Sequence, residues 1–288
     1  MKDLNYQLSK LCRDNRDGSF STQATRSRIL DLIANQLQKL GYRRMQPRSL
    51  KPKHVDALVA HWQEQGISIG TLKNRLSALR WWAKKVNKPS IIAKDNDVYD
   101  IGKRDNVARK SKALKLDEKK LSGISDQHVR LSIRLQAAFG LRREESIKFS
   151  PSYAVQDDHI KLKPSWTKGG RARTVPIRND EQRQLLDEVK AFAKGGALIP
   201  AQLNYVQHLN RYQRQLRNAG LKKLHGLRHA YAQQRYFELT GWKAPVAGGP
   251  TSKQLTQEQR APDYDARAIV SHELGHARVE IAVVYLGR

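Results

Sequence analysis

The chain has 288 residues, enough for one large domain or two ordinary ones, and its 39% hydrophobic content is sufficient for packed cores. Its formal charge of +27 is spread over residues 1–100 (+10) and the remainder (+17). This distribution predicts that both parts of the chain bind nucleic acid. A ribosome-associated or membrane-surface protein is the alternative. The single Cys12 excludes a disulfide framework and a Cys-based zinc site, and it favours the cytoplasm. The lack of a signal peptide and of a long apolar run predicts a protein that is neither secreted nor embedded in a membrane.

Residues 1–90 are predicted to form a small helical domain, because three segments place apolar residues on one helical face. The first helix follows candidate N-caps at Ser21 and Thr22 and stops at Gly41. The three apolar faces are Ile29, Leu32, Ile33, Leu37 and Leu40, then Val55, Leu58, Val59 and Trp62, then Leu72, Leu76, Leu79, Ala83 and Val86. The basic residues of the third helix, predicted to contact DNA phosphates with a solvated face as the alternative, are Lys73, Arg75, Arg80 and Lys84.

Residues 91–116 lack periodicity and are rich in Lys and Arg, which predicts a basic interdomain linker whose Lys103 and Arg104 contact DNA. Residues 117–288 are predicted to form a second domain, and the whole chain to be mainly α-helical with a small β-hairpin (α+β). Helical patterns end at Gly140 and then cover 180–194, 201–218 and 226–240. The Gly- and Pro-rich stretch 242–265 is predicted to be an irregular insertion.

Alternating residues at 159–163 and 173–177 predict the two strands of the hairpin, and Lys168 lies at the tip between them. Arg171 and Arg173, on the returning side of the hairpin, are predicted to contact DNA as well.

The segment His272-Glu-Leu-Gly-His276 matches a zinc-protease helix, in which two histidines one turn apart bind the metal and the glutamate is the general base. A third protein ligand is hard to find. The positions that would extend the motif hold Val279 and Ala282, and Glu280 lies too close on the same segment. A zinc metallopeptidase is therefore only a minor alternative.

A second chemistry gathers residues from four separate places. In chain order these are Arg142 after a helix-ending Gly-Leu, Lys168 on the hairpin, His225-Gly-Leu-Arg228 opening a helix, and His276 followed nine residues later by Tyr285. In this order and spacing, residues 117–287 resemble the tyrosine recombinase (phage integrase) family, whose catalytic set is an Arg, a hairpin Lys, a His-x-x-Arg, a His or Trp and a nucleophilic Tyr. The N-terminal helices resemble the core-binding domain of that family less specifically.

Elementary chemistry supports these residue types for an attack on a phosphodiester. Guanidinium forks stabilise charge that develops on phosphoryl oxygens, which suits Arg142 and Arg228. A tyrosine hydroxyl ordinarily has a pKa of about 10, so Tyr285 needs a proton acceptor, and we predict His225 in that role. The departing 5′ oxygen needs a proton, and Lys168 is the predicted general acid.

Three further residues complete the predicted site. His276 is expected to donate a hydrogen bond to a phosphate oxygen, and Glu145 and His229 are expected to orient the residues that touch the substrate. The resemblance implies a 3′-phosphotyrosyl intermediate on Tyr285, formed without a cofactor or metal. It also implies double-stranded recombination sites as substrate, a homotetramer on DNA, and an accessory DNA-bending or directionality factor as a further candidate partner.

Integration and excision of a mobile element is the favoured biological role. The alternatives are a type IB topoisomerase-like strand transferase and a DNA-binding protein with a degenerate site. Arg228 and His276 are 48 positions apart, which is longer than is usual in the family, and residues 242–265 account for the excess. We predict that this insertion contacts a neighbouring protomer or the DNA.

Overall fold

The N-terminal region folds as a bundle of four helices. In the computed structural model, which describes residues 3–288, the helices are α1 (Asp3–Asp14), α2 (Phe20–Lys39), α3 (Pro52–Glu64) and α4 (Ile69–Lys85). Helices α2 to α4 confirm the three predicted helices, whereas the sequence patterns do not predict α1. The first two residues of the predicted 1–90 domain, where the N-terminus was expected to lack a signal peptide, lie outside the described residues.

Helix α2 shows where the predicted apolar face was wrong. The helix begins after Ser19, whose hydroxyl accepts a hydrogen bond from the Thr22 amide, so Ser21 and Thr22 lie inside the helix and are not its N-cap. Leu32 and Leu40 are 37% and 36% exposed. The buried face of α2 is instead formed by Leu30, Ile33, Ala34, Gln36 and Leu37, with the Gln36 amide oxygen accepting from the indole of Trp62 at 2.9 Å.

The chain divides into two compact units, Met1–Asp105 and Asn106–Arg288. The boundary lies inside the predicted linker, residues 91–116. Its first part belongs to the N-terminal unit, because Ile92 and Ile101 are buried in the core of that unit. Its last part belongs to the C-terminal unit, where Leu114 packs against the core and its amide donates to the carbonyl of Gly226 at 3.0 Å.

The C-terminal unit is mainly helical. Its elements are α5 (Glu118–Ser122), α6 (Gln127–Phe139), α7 (Arg143–Ile147), α8 (Pro151–Ala154), β1 (His159–Leu162), β2 (Arg173–Pro176), α9 (Asp180–Ala193), α10 (Tyr205–Asn218), α11 (His225–Thr240), α12 (Gln257–Glu273) and α13 (Val283–Leu286). The two strands pair in antiparallel register, with His159 opposite Pro176 and Leu162 opposite Arg173. The predicted fold class, mainly α-helical with a small hairpin, is confirmed.

Residues 242–265 are less irregular than predicted. Helix α12 begins within them at Gln257, after the N-cap Thr256, and continues through Pro262. Ala244 is buried in the main core of the C-terminal unit, and Trp242 packs against that core. The segment is therefore part of the folded unit and not a loop that stands away from it.

A large apolar core surrounds the end of the described chain. It joins residues of α6, α11 and α12 to Tyr285 and Leu286 of α13, which are 5% and 0% exposed. Burial of this apolar surface fixes the position of α13 against its neighbours. Among the helices described, none has both the length and the apolar composition needed to cross a bilayer.

Candidate active site

Tyr285 lies in a pocket formed by residues from distant parts of the C-terminal unit. Its hydroxyl accepts a hydrogen bond from Nε of Arg228 at 3.2 Å and lies 3.4 Å from Nε2 of His276. The ring of His229 is tilted against the tyrosine ring, with centroids 4.7 Å apart, and the ring of His225 follows at 6.3 Å. Four of the predicted site residues are thus brought around the fifth.

Helix α11 explains how the residues of the His-x-x-Arg pattern come together. His225 is its first residue, and Arg228 and His229 follow three and four positions later, so all three side chains share one face of the helix. Gly226 lets the start of the helix approach residues 112–114 closely, since a Cβ there would lie 2.7 Å from the carbonyl oxygen of Lys112. The start of α11 therefore packs directly against the chain that enters the unit.

Arg228 is the most enclosed cation of the site, with 1% of its surface exposed. Its guanidinium donates to the carbonyls of Gly140 (2.5 Å) and Leu274 as well as to Tyr285. Burial, and to a smaller extent the nearby cations Arg142 and Arg173, lower its pKa to about 10, which leaves it charged at neutral pH. The charge is therefore fixed in orientation beside the phenol.

Arg142 approaches the same place from the start of α7. It is the N-cap of that helix, its amide donates to the Glu145 carboxylate at 2.7 Å, and its guanidinium donates to Glu145 (2.8 Å) and to the Leu274 carbonyl (3.2 Å). Arg142 and Arg228 therefore share the Leu274 carbonyl as an acceptor. The two guanidinium groups predicted to stabilise phosphoryl charge are held side by side.

Arg173 corrects one of the predicted DNA contacts. It is 6% exposed, both of its terminal nitrogens donate to the Glu145 carboxylate (2.6 and 2.7 Å), and its Nε donates to the carbonyl of Glu273 at 3.0 Å. Burial alone would raise the pKa of Glu145, but the hydrogen bonds and charge of Arg173, with Arg142 and Arg228, lower it to about 2. Arg173 is thus committed to an internal carboxylate and does not lie on a DNA-facing surface.

The zinc-protease arrangement is not formed by the residues that suggested it. Helix α12 ends at Glu273 and the chain turns through Gly275 at φ +71°, so His272 and His276 do not lie on successive turns of one helix. The Glu273 carboxylate accepts from Tyr231 (2.6 Å) and Arg235 (2.9 Å), which occupies both of its oxygens. Across residues 3–288 no three His, Cys, Asp or Glu side chains are grouped as metal ligands.

The site histidines are held in the neutral form at neutral pH. Burial, with the charges of Arg228 and Arg142 as the next causes, lowers the pKa of His276 to about 4. Burial, followed by the neighbouring His225, lowers the pKa of His229 to about 4 as well. Loss of surrounding water and the same two arginines lower the pKa of His225. A neutral imidazole can accept a proton or donate a single hydrogen bond, as the predicted roles require.

Lys168 is not among the described residues whose side chains contact Tyr285. It lies exposed in the loop between β1 and β2, beside Gly169 (φ +89°) and Gly170 (φ +66°), and within the described chain no hydrogen bond joins it to Tyr285. Its neighbour Arg171 is also exposed. The predicted hairpin is therefore formed, with Lys168 in its connecting loop, and the role of the lysine as general acid stays a prediction.

The candidate DNA contacts of the N-terminal unit differ in exposure. Lys84, Lys103 and Arg104 are exposed, and Lys73 is half-buried. Arg80 is half-buried and donates to the Ala93 carbonyl (2.8 and 3.0 Å) and to Asn96 (2.9 Å), whereas Arg75 stacks over the ring of Trp62 at 5.2 Å. Arg75 and Arg80 thus make contacts within the N-terminal unit, and their DNA contact stays a prediction.

The sequence patterns did not predict several residues of the pocket, because these residues contribute backbone carbonyls or lie far along the chain from Tyr285. The carbonyls of Gly140 and Leu274 hold the two arginines, and the Tyr285 carbonyl accepts from the side chain of Gln233 at 3.0 Å. One signal did exist. Gly140, which ends α6 at φ +60°, must be glycine because a Cβ would lie 2.6 Å from the ring of Tyr231.

Comparisons with known proteins identify the family of the chain. Residues 1–89 match the family model described as phage integrase, N-terminal, and residues 104–234 match the model described as integrase. No curated protein matches the sequence.

Solved structures share the fold at low sequence identity. A XerH site-specific recombinase bound to palindromic difH substrate has a TM-score of 0.59 and 19% identity, covering 99% of this chain and 81% of the other. A lambda integrase dimer bound to a COC' core site has a TM-score of 0.60 and 17% identity, covering 98% and 76%. The Tn1549 transposon integrase with circular intermediate DNA has a TM-score of 0.54 and 16% identity, covering 100% and 96%.

Proposed function

The chain belongs to the tyrosine recombinase (phage integrase) family of enzymes, and from this premise we propose that it is a site-specific DNA recombinase that cleaves and rejoins DNA through Tyr285. The observation that carries the proposal is the hydrogen bond between Arg228 and the Tyr285 hydroxyl, with His276 on the other side. A tyrosine kept only for packing has no need of a buried cation at its oxygen.

The proposed reaction is a transesterification. The Tyr285 oxygen attacks a backbone phosphorus, the bond from phosphorus to the 5′ oxygen breaks, and the 3′ side of the DNA stays joined to the tyrosine through the phosphate. His225 accepts the phenolic proton, and Lys168 donates a proton to the departing 5′ oxygen. A second 5′ hydroxyl then reverses the step on a new strand, so no external energy source is needed.

Arg142 and Arg228 are proposed to bind the non-bridging oxygens of the same phosphate. Their shared acceptor, the Leu274 carbonyl, keeps both guanidinium groups in place before DNA arrives, and such preorganised charge is the most effective kind for a developing anion. His276 would donate a hydrogen bond to the same phosphate. Glu145 would orient Arg142, to which it is bonded twice.

Binding to DNA is proposed to involve phosphate contacts from both units. The formal charge of +27 supports this, as do the exposed Lys84, Lys103, Arg104 and Arg171. Contacts of this kind predict an affinity that falls steeply with salt concentration. Members of the fold have been solved on DNA, among them a lambda integrase tetramer bound to a Holliday junction. We propose that this protein also forms a tetramer on paired recombination sites and that it acts in the cytoplasm. Its proposed role is the integration and excision of a mobile element. An accessory DNA-bending or directionality factor is a further candidate partner.

A suicide-substrate assay tests the proposal. Nicked duplexes carrying candidate sites are incubated with the wild type and with Tyr285→Phe in the presence of EDTA. We expect a covalent protein–DNA adduct with the wild type that is absent with the variant. An adduct with Tyr285→Phe, or none with either protein on sites that the protein binds, would contradict the proposal.

A type IB topoisomerase-like activity is the second candidate, since it would use the same cleavage chemistry. The two are separated by the product, because a topoisomerase relaxes a supercoiled plasmid without exchanging sites. A plasmid bearing two bound sites distinguishes relaxation from recombination in one reaction.

A further inference from the structure

The chain around Tyr285 is fastened by residues outside the proposed catalytic set. We propose that Arg267, oriented by Asp263, is a positioning residue that holds the segment carrying the nucleophile. The inference rests on the proposed role of Tyr285 and adds to it a residue that never touches the substrate.

Arg267 joins α12 to the segment just after the tyrosine. Its Nη1 donates to the carbonyl of Gly287 at 2.9 Å, and its Nε lies 2.9 Å from both carboxylate oxygens of Asp263 one turn earlier. Both side chains are almost fully enclosed, with Arg267 9% and Asp263 8% exposed. A guanidinium in such a place is not available to DNA, so its contribution must be made inside the protein.

Asp263 is itself held by a second pair of side chains. The Tyr236 hydroxyl donates to it at 2.5 Å and accepts from the indole nitrogen of Trp242 at 3.1 Å. Burial, reinforced by the carboxylate of Asp263, raises the pKa of Tyr236 to about 12, so the phenol keeps its proton and stays a donor. Trp242 and Asp263 both come from the predicted insertion, residues 242–265. The insertion therefore supplies part of the hydrogen-bond network that orients Arg267.

The segment is also tied at two more points. The amide of Ala108 donates to the carbonyl of Val283, and the side chain of Gln233 donates to the carbonyl of Tyr285, both at 3.0 Å. Gly287 adopts φ +76°, and a Cβ there would lie 3.0 Å from the amide nitrogen of Val246. The backbone is therefore held before, at and after Tyr285, and only the last tie depends on a buried charged group.

Displacement of a reacting group by about 1 Å can slow a reaction about 10²-fold. Without Arg267 the carbonyl of Gly287 loses its donor, and the segment keeps only the hydrogen bonds at Val283 and at Tyr285. We expect slower attack by Tyr285 on bound DNA and unchanged binding of DNA. A residue that merely stabilised the fold would lower the fraction of active protein and leave the rate of the folded fraction alone.

The test compares Arg267→Met with Arg267→Lys, which keeps one donor for the Gly287 carbonyl. The matched control is Arg134→Met, which removes another arginine–carboxylate pair, Arg134–Glu188, at a half-exposed position of the same unit. Single-turnover cleavage of the nicked duplex is measured at saturating DNA, affinity by fluorescence anisotropy, and folding by thermal unfolding. Gly287→Ala disturbs the same contact from the backbone side and serves if Arg267→Met does not fold.

We expect Arg267→Met to cleave about 10²-fold more slowly with an affinity within about 2-fold of the wild type, Arg267→Lys to recover part of the rate, and Arg134→Met to change neither. Gly287→Ala should resemble Arg267→Met. Wild-type cleavage rates in both Arg267→Met and Gly287→Ala, or losses of rate that match losses of affinity, would overturn the inference. Failure of the wild type to form an adduct would instead overturn the role of Tyr285 itself.

Discussion

The pocket around Tyr285 and the loop that carries Lys168 are proposed to serve one reaction, yet they are built in opposite ways. In the pocket, Arg228 is 1% exposed and bonded to two carbonyls and a phenol. The loop exposes its lysine beside two glycines with positive φ. Under the proposed mechanism, the charge that stabilises the phosphate is therefore preorganised, whereas the proton donor meets the leaving group only after DNA has bound.

Removing the preorganised charge should have the largest effect. Arg228→Ala is expected to slow cleavage about 10³-fold, because the lost guanidinium stabilises charge in a site from which water is excluded. Arg228→Lys should recover little, since an ammonium cannot reproduce the fork that spans the Gly140 and Leu274 carbonyls. Single-turnover cleavage measures both, with the exposed Arg143→Ala as control. A rate within about 3-fold of the wild type for Arg228→Ala would remove this residue from the mechanism.

Removing the proposed proton donor should slow cleavage less, and a modified substrate should restore the rate. Lys168→Ala is expected to slow cleavage about 10²-fold without lowering stability, because the side chain is exposed. A substrate with sulfur in place of the 5′ bridging oxygen releases a thiolate that needs no proton, so the variant should cleave it at nearly the wild-type rate. Arg171→Ala, which removes a charge from the same loop, should show no such rescue. An equal defect of Lys168→Ala on both substrates would argue against general acid catalysis.

The buried ion pair beside the pocket should contribute more to stability than an exposed pair of the same unit. Arg173→Met leaves the buried carboxylate of Glu145 without its bidentate partner, and breaking a buried pair in this way costs about 3 kcal/mol or more. Urea unfolding of the variant measures this loss. The exposed pair removed by Arg134→Met should cost about 1 kcal/mol or less. Similar losses for the two variants would show that the pair of Arg173 and Glu145 has no special weight.

The last expected effect is a pH dependence of stability. His229 and His276 have folded-state pKa values of about 4, below the ordinary value of about 6.5, so between these values the unfolded chain binds more protons. The free energy of unfolding should therefore fall as the pH drops from about 6.5 to about 4. Glu145, with its pKa lowered to about 2, adds a further loss below about pH 4.3. Urea titrations at pH 7 and pH 5 measure the first step.

A matched variant isolates the histidines. Replacing His229 and His276 together by Gln should flatten the change between pH 7 and pH 5, whereas replacing the exposed His272 by Gln should not. If the double variant keeps the wild-type slope, the two imidazoles are not the groups that titrate.

The sequence was informative where function depends on residue type and spacing. The His-x-x-Arg pattern and the nine-residue step from His276 to Tyr285 placed four side chains of the pocket, because α11 brings i and i+3 to one face and α12 ends at the turn before His276. Apolar periodicity predicted α2 to α4, because the spacing of apolar residues reflects the period of the helix.

Contacts between distant segments could not be predicted from local patterns. Arg173 follows a hairpin loop and alternates like any strand residue, so nothing in its neighbourhood reveals that it binds Glu145. The zinc motif misled because a five-residue pattern assumes a continuous helix, whereas Gly275 ends it. Residues 257–265 were predicted to be irregular because Pro262 and nearby polar residues obscure the helical pattern of α12.

The proposed mechanism requires a covalent bond between Tyr285 and DNA, and identifying the linked residue is a direct test of that bond. The adduct trapped on a nicked substrate is digested with protease and nuclease, and the modified peptide is sequenced by mass spectrometry. We expect a phosphotyrosyl nucleotide on Tyr285, joined through the 3′ oxygen of the DNA. A nucleotide on any other residue, or a link through a 5′ phosphate, would contradict it.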